Sequence, residues 1–574
     1  MLRPDIYFLA YKHLYTNQGA STPGIDENDI ADGFSEEKIE HIIEALRNGS
    51  YEPKPARRIY IPKKTGKKRP LGLPTFTDKL VQEVLRMIIE AVYEPIFDEH
   101  SHGYRPNRSC HTALREISRG FTGIRWFIEG DIKGCFDKIN HQILMKQIKS
   151  KVKDERIIQL IWKFLRAGYL ENWQYNSTYS GTPQGGIISP LLANIYLNEL
   201  DKFIMRVKRS FDSPSKQTTT TEYRRLSTQV KVLNKQIKKA KGEQKRKRVN
   251  EWRKTRKAML KTPSKSQTDK KIKYVRYADD FIIGVNGSKE DCLKIKQQIM
   301  EYIVRELDME LSEEKTSITH SSETAKFLGY EIRVRRCNRT RRTKKLKLPK
   351  RTLNNTVELN IPLKDKIEMF MFQREMIRQK KSGELDPIKR NRLLHLTPLE
   401  IVSTYNSELR GICNYYCMAS NYARLNYLSY IMEYSCLKTL AAKYKLSIGK
   451  IKSKFKNGHG QWGIPYENKT GKQRMYFADY LKYKKKYTEC DDQVSCQAIM
   501  YSTTRSTLEE RLKAKICELC GRADAERYEI HHVHKVKDLK GKKDWERHMI
   551  TKRRKTMIVC KECHQKIHGC QERK

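Results

Sequence analysis

Acidic residues are scarce beside basic ones. The 574 residues carry 67 Asp and Glu against 116 Lys and Arg, a formal charge of +49. So basic a chain calls for a polyanionic partner, with nucleic acid the leading candidate. Long apolar runs are missing too, and nothing approaches the roughly 20 residues that a membrane-spanning helix needs. The first residues, MLRPDIYFLAYKHLY, break their apolar positions with Arg, Asp and Lys, so no secretory leader is expected. A basic amphipathic helix with a Trp/Leu face, which would favour a membrane surface, is also lacking. No internal repeat is found. Over most of the chain the cysteines stand singly (Cys110, Cys135, Cys292, Cys337), as reduced thiols of a cytoplasmic protein do. The length implies three to five domains.

What is present divides the chain. Residues 121–200 and 270–335 alternate strand-like and helix-like apolar patterns, an α/β signature. Between them, Tyr223 to Thr262 holds 16 Lys and Arg and 2 acidic residues, which reads as an inserted helical hairpin or a solvated arm. Arg335 to Arg351 has ten basic residues and no acidic one, as in a linker or an RNA-facing loop. Residues 360–440 read as helices, KDKIEMFMFQREMIRQ among them, and residues 450–500 interleave Lys with Tyr, Trp and Phe.

The first chemistry lies in KYVRYADDFIIGV, residues 273–285, where two β-prone runs flank Ala278, Asp279 and Asp280. This spacing predicts a hairpin with adjacent carboxylates at its turn. An ordinary Asp-rich turn would read the same in isolation. Upstream, WFIEGDIKGCFDKI places Asp131 at the end of a predicted strand, where such a hairpin can meet it. Three carboxylates with no His or Cys nearby suit Mg²⁺, and two Mg²⁺ ions are a known device for nucleotidyl transfer. Phe136, five residues on, is either core or an aromatic under the sugar of an incoming nucleotide. SGTPQGGIISPLLANIYLNELD (180–201) predicts a glycine turn before a helix, with Ser189 as N-cap, Pro190 at N1, and Gln184 placed for a nucleotide or minor-groove contact. In the basic hairpin at 61–85, Lys63 and Arg69 either reach a triphosphate or decorate a solvated turn.

Basic hairpin, Asp131, Phe136, PQGG, YADD and KFLGY (326–330) follow one another in an order that resembles the reverse transcriptase/maturase proteins of group II introns, the lactococcal type in particular. The resemblance runs from LRPDIY to the C-terminal histidines. It implies a multidomain α+β protein: a right-hand polymerase whose fingers and palm span 1–335 with a basic insertion near 210–270, a basic linker at 336–360, a helical thumb or maturase domain at 361–448, a DNA-binding region at 449–505, and a last domain at 506–574. By the same resemblance Asp131, Asp279 and Asp280, with the Ile132 carbonyl, hold the Mg²⁺ ions. Phe136 selects dNTPs, Gln184 lines the nucleotide pocket, and Leu328 and Gly329 grip the primer. Intron RNA, target DNA and dNTPs are the implied partners, a homodimer is left open, and the bacterial cytoplasm is the implied location. Relatives usually carry extra residues before LRPDIY, so the start of this chain is expected to be short.

The C-terminal domain has its own signature. Cys517, Cys520, Cys560 and Cys563 form two Cys-x2-Cys pairs, which read as a structural Zn²⁺ site enclosing a folded insert. His564 and His568 share one face of a predicted helix, and His531 joins them from a strand, giving three imidazoles for one divalent ion. His532, next along the strand, points elsewhere and suits a general base. The pattern resembles a ββα-metal HNH endonuclease. That family carries Asn nine residues before His564, where this chain has Lys555, so weaker nicking is expected, with Arg553 and Arg554 near enough to bind a phosphate.

Overall fold

The computed structural model describes all residues except 18, 20–21, 63–67, 172–173, 183–184, 214–217, 265–268, 338, 343–348, 353, 469–470, 485–507 and 570–574. Two helices come first, α1 (Pro4–Tyr15) and α2 (Glu36–Arg47), the second capped by the Ser35 hydroxyl, which accepts from the Lys38 amide. Next, β1 (Ala56–Pro62) pairs antiparallel with β2 (Lys68–Leu73), and α3 (Phe76–Tyr93) follows. The chain enters the palm as β3 (Trp126–Asp131) and returns to the first hairpin as β4 (Tyr169–Glu171) and β5 (Gln174–Asn176), completing a sheet of order β2-β1-β4-β5.

The palm sheet has the order β6-β7-β3-β8, with β6 (Lys271–Tyr277), β7 (Asp280–Asn286) and β8 (Ile318–His320) all antiparallel to their neighbours. The apolar run of β7 is buried on both faces. Phe281, Ile283 and Val285 face one hydrophobic core, while Ile282 faces the other with Val275 and Phe127. That two-sided burial is why the run is continuous rather than alternating. Gly130 sits opposite Phe281 in this sheet because a Cβ there would lie 2.1 Å from the Phe281 ring.

One core joins the N-terminal helices, the palm helices and the C-terminal domain, and the other joins the far face of the palm to the thumb. Beyond the palm sheet, β9 (Ala325–Phe327) pairs with β10 (Tyr330–Val334), which pairs in turn with Val357–Asn360, and this small sheet shares a core with the thumb helices Pro398–Tyr415 and Leu425–Tyr444. The basic insertion is a helical hairpin, Thr221–Lys239 and Gly242–Lys261. Arg351 ties the basic linker to it by donating to the carbonyls of Met259, Leu260 and Thr262 at the end of the second helix. Those carbonyls have no partner within the helix, so the guanidinium closes its terminus.

Two expectations need correction. The helix expected through KDKIEMFMFQREMIRQ stops at Gln373. Glu375 then adopts φ +55° and the Met376 amide bonds the Met371 carbonyl, which turns both methionines into the thumb core and starts a hairpin, Ile377–Gln379 with Leu385–Pro387. The helix after PQGG has Ile188 rather than Ser189 at its N-cap, so Pro190 occupies its second position, where a missing N–H still costs nothing. No helix among the described residues is long and apolar enough to cross a membrane.

Candidate functional site

The palm hairpin turns at Ala278, which takes φ +56°, and cross-strand register sets Asp280 directly opposite Asp131. The Ile132 amide donates to the Asp279 carbonyl at 3.3 Å, so the three aspartates gather at the ends of the two central strands. The turn is braced from beneath. Arg276 is fully buried and donates twice to Asp201, at 2.6 and 2.8 Å, and again to the Ala278 carbonyl at 2.9 Å. Tyr274 adds its hydroxyl to the same Asp201 carboxylate at 2.6 Å.

Two of the three carboxylates, Asp279 and Asp280, resist ionisation. Burial, a hydrogen bond with Asp131 and the charge of Asp279 push the Asp280 carboxyl up to about 7. Burial also raises Asp279, and the charge of Arg69 partly offsets it. The cluster therefore demands cations. Lys315 meets part of that demand, donating to Asp131 Oδ2 at 2.7 Å. Oxygen-only donors at half-open strand ends fit hard divalent ions such as Mg²⁺.

A cavity of about 700 Å³ runs from Asp131, Asp280 and Lys315 to the Leu328–Gly329 turn. Leu328 has φ +47°, and the turn is held from the thumb helix: the Tyr415 hydroxyl donates to the Leu328 carbonyl at 2.6 Å and that of Tyr416 to the Gly329 carbonyl at 3.2 Å. Phe136 lies on a single 3₁₀ turn, half-buried rather than in the core, with its ring 6.3 Å from that of Tyr104. Its carbonyl accepts from the Thr182 amide at 2.7 Å, which joins this turn to the loop before Ser189. Arg69 is exposed on β2. Lys63 and Gln184 lie outside the described residues.

In the C-terminal domain the strands Tyr528–His532 and Thr556–Cys560 form a hairpin packed against the helix Lys561–His568. The ligand atoms of Cys517, Cys520, Cys560 and Cys563 lie within 4.8 Å of one another. Burial opposes ionisation of Cys517, but backbone amides, that of Cys520 among them, bring it down to about 7. Four convergent sulfurs fit one structural Zn²⁺.

The ligand atoms of His531, His564 and His568 converge in the same way. His564 and His568 face each other through their Nε2 atoms at 3.3 Å. Both ring nitrogens of His531 are buried without a hydrogen bond among the described residues. An imidazole in that state fits a cation's ligand better than a packing group. His532 points to the opposite face, buried, with its ring 5.9 Å from that of Tyr15. At Lys555 the backbone carbonyl accepts from the Val533 amide at 2.9 Å. Arg553 is exposed and Arg554 lies 3.7 Å from Glu518.

Two members of this site escape sequence reasoning. Glu529 accepts from His564 Nδ1, which orients the ring so that its Nε2 faces the cluster. Its place two residues before His531 on a strand puts it on the same face, a signal that was there to use. The other is Asp32, from the loop before α2, whose carboxylate reaches all three imidazoles. Nothing local to either segment connects positions 500 residues apart.

Known proteins agree with this anatomy. Residues 61–332 match the family described as Reverse transcriptase (RNA-dependent DNA polymerase), 354–535 match Type II intron maturase, and 517–564 match AI2M/AI1M-like, HNH endonuclease. The Group II intron-encoded protein LtrA of Lactococcus lactis subsp. cremoris is 58% identical over 569 residues, covering 99% of this chain and 94% of that protein. An uncharacterized 91 kDa protein in a cob intron of Schizosaccharomyces pombe is 35% identical, covering 99% of this chain and 69% of its own length. The putative COX1/OXI3 intron 1 protein of Saccharomyces cerevisiae is 33% identical over 99% of this chain and 68% of its own. With reverse transcriptase, maturase and HNH regions in one polypeptide, the chain belongs to the group II intron-encoded proteins.

Proposed function

We propose that Asp131, Asp279 and Asp280, with the Ile132 carbonyl, hold two Mg²⁺ ions and that the palm copies intron RNA into DNA from a primer made by the C-terminal domain. The chain is an RNA-directed DNA polymerase and endonuclease of the intron-encoded class, and it binds intron RNA. The meeting of the three aspartates at the ends of the two central palm strands carries the finer reading. When bound, the ions supply charge neutralisation at the triphosphate and acidify the primer 3′-hydroxyl. The residues do the rest. The Leu328–Gly329 turn seats the primer end, and the hydroxyls of Tyr415 and Tyr416 hold that turn. Phe136 excludes a 2′-hydroxyl and so chooses dNTPs. Arg69, whose charge is felt at Asp279, binds the triphosphate with Lys63, and Gln184 lines the nucleotide pocket. In the nuclease, His531, His564 and His568 hold a divalent ion, His532 takes a proton from water, and the four cysteines hold Zn²⁺. Target DNA is the substrate of that domain, the region at 449–505 helps to grip it, and the bacterial cytoplasm is the setting.

Splicing assistance without DNA synthesis is the alternative, and the intact carboxylate cluster weighs against it. Primer extension on an RNA template with Mg²⁺, offering dNTPs or NTPs, tests the reading. A DNA product that falls by at least a thousandfold in Asp279→Ala, with NTPs rejected, is expected. No product from folded wild-type protein would leave splicing assistance as the leading function.

A further inference from the structure

The N-terminal loop reaches into the nuclease at its most sensitive point. Asp32 Oδ1 lies 3.3 Å from His531 Nδ1 and 3.2 Å from His564 Nε2, and Oδ2 lies 2.8 Å from His568 Nε2. With the 3.3 Å between the two helix imidazoles, the ligand atoms of all four residues lie within 4.8 Å of one another, close enough to share one divalent ion. The carboxylate is placed there on purpose by backbone. Oδ1 accepts from the His532 amide at 2.7 Å. The Gly33 amide donates to the Ile530 carbonyl at 3.1 Å, and the Ile530 amide donates to the Phe34 carbonyl at 2.9 Å, so the loop extends the nuclease hairpin as a stub of third strand. Gly33 takes φ +75° against the His564 ring, a conformation that favours glycine. Phe34 is fully buried and stacked on Tyr11 at 4.2 Å, and Arg527 pairs with Glu37 at 2.8 Å.

Such a site is crowded. Catalytic divalent sites keep coordination positions for water and substrate, and each added protein ligand takes one away. Here three imidazoles and a carboxylate converge, and His532 is covered by Tyr15 of α1, with its Nε2 buried and lacking a partner among the described residues. We propose that Asp32 is the fourth ligand of the nuclease ion, supplied by the polymerase half, and that it latches the nuclease in a docked state unable to take a DNA phosphate. Release of the Asp32 loop opens the coordination position and uncovers His532 together, so nicking awaits displacement of that loop. The inference rests on the reading that His531, His564 and His568 hold a divalent ion.

The test uses the full zinc-loaded chain in an Asp131→Asn, Asp279→Asn, Asp280→Asn background, which removes the three palm carboxylates from metal binding. Mn²⁺ affinity is measured by electron paramagnetic resonance, and nicking is measured on supercoiled plasmid. Asp32→Asn is the principal variant, since its amide oxygen still accepts from the His532 amide and thermal unfolding can verify its fold. Asp32→Ala is the second. Expected for both are Mn²⁺ binding weakened about tenfold, faster amide exchange at residues 530–532, and nicking raised at least fivefold. Unchanged Mn²⁺ affinity overturns the latch. So does nicking that falls or stays level, because Asp32 would then be an ordinary or irrelevant member of the site. His564→Ala separates the two levels: if it too leaves Mn²⁺ affinity unchanged, the underlying metal reading fails, whereas a loss there with silent Asp32 variants sinks only the latch.

Discussion

In the palm, three aspartates are gathered beside Lys315, and burial, a hydrogen bond with Asp131 and the charge of Asp279 push the Asp280 carboxyl up to about 7. In the C-terminal domain, three imidazoles surround one carboxylate, and the attraction runs the other way: burial works against its charge, yet hydrogen bonds to Asp32 and Glu529 hold His564 up at about 9. The first site is built on a sheet with hydrophobic cores on both faces, the second on a two-stranded hairpin and a helix of eight residues. A large domain holds mutually repelling carboxylates together through packing and the buried Arg276–Asp201 brace. A small one needs a cross-link, which the four cysteines would provide by holding zinc.

The contrast is tested most severely by removing zinc. Structural zinc contributes roughly 10–16 kcal/mol of apparent folding free energy in small domains. Cys563→Ser, or a strong chelator, is therefore expected to abolish amide protection over residues 517–568 and all nicking, while primer extension falls by less than tenfold. Equal loss of both activities would mean that the two halves fold as one unit. A smaller effect is expected beneath the palm turn. Asp201→Ala strands the buried Arg276 charge and should cost about 3–5 kcal/mol in urea unfolding, read by amide exchange in β6. Replacing both partners with apolar residues of similar volume should restore most of that loss.

The smallest effect concerns Glu116, on the helix Cys110–Gly120. It bonds His100 and His102, and the backbone of that segment bridges to Arg276 just before the turn. Burial raises the Glu116 carboxyl, but the two imidazoles outweigh burial and hold it down at about 2, against an ordinary 4.5. A depressed carboxylate stabilises the fold fully above its unfolded value and loses that contribution as pH falls from about 4.5 to about 2. Glu116→Gln should cost about 2 kcal/mol near pH 6 and little at pH 2, flattening the acid limb of the stability profile. A parallel downward shift at every pH would assign the residue a packing role instead.

Much of this architecture was legible in residue order. β-prone apolar runs around Asp131 and Asp279 pointed to the palm strands, paired spacing to the cysteine cluster, and an i, i+4 histidine pair to one face of a helix. The reading failed where local pattern and tertiary demand diverge. KDKIEMFMFQREMIRQ has helical spacing, but Met371 and Met376 reach the same core only if the chain turns between them. Asp32 was invisible because its role depends on a bridge to Ile530, and no periodicity spans that distance. The DNA-binding region proposed at 449–505 is described only in part, through the helix Ile448–Lys454, the hairpin Gly463–Asn468 with Gly471–Tyr476 and a short turn at Tyr480–Tyr483; residues 485–507 lie outside the description.

Arg351 closes the end of the insertion's second helix from a segment that belongs to the approach to the thumb. The two basic stretches are thus coupled through this one guanidinium. A lineage that trims the hairpin loses three carbonyl partners for a guanidinium left behind in the linker, and a lineage that rewrites the linker frays the hairpin. Insertion and linker should lengthen, shorten and change charge together between relatives, and a transplant between them should carry both or neither.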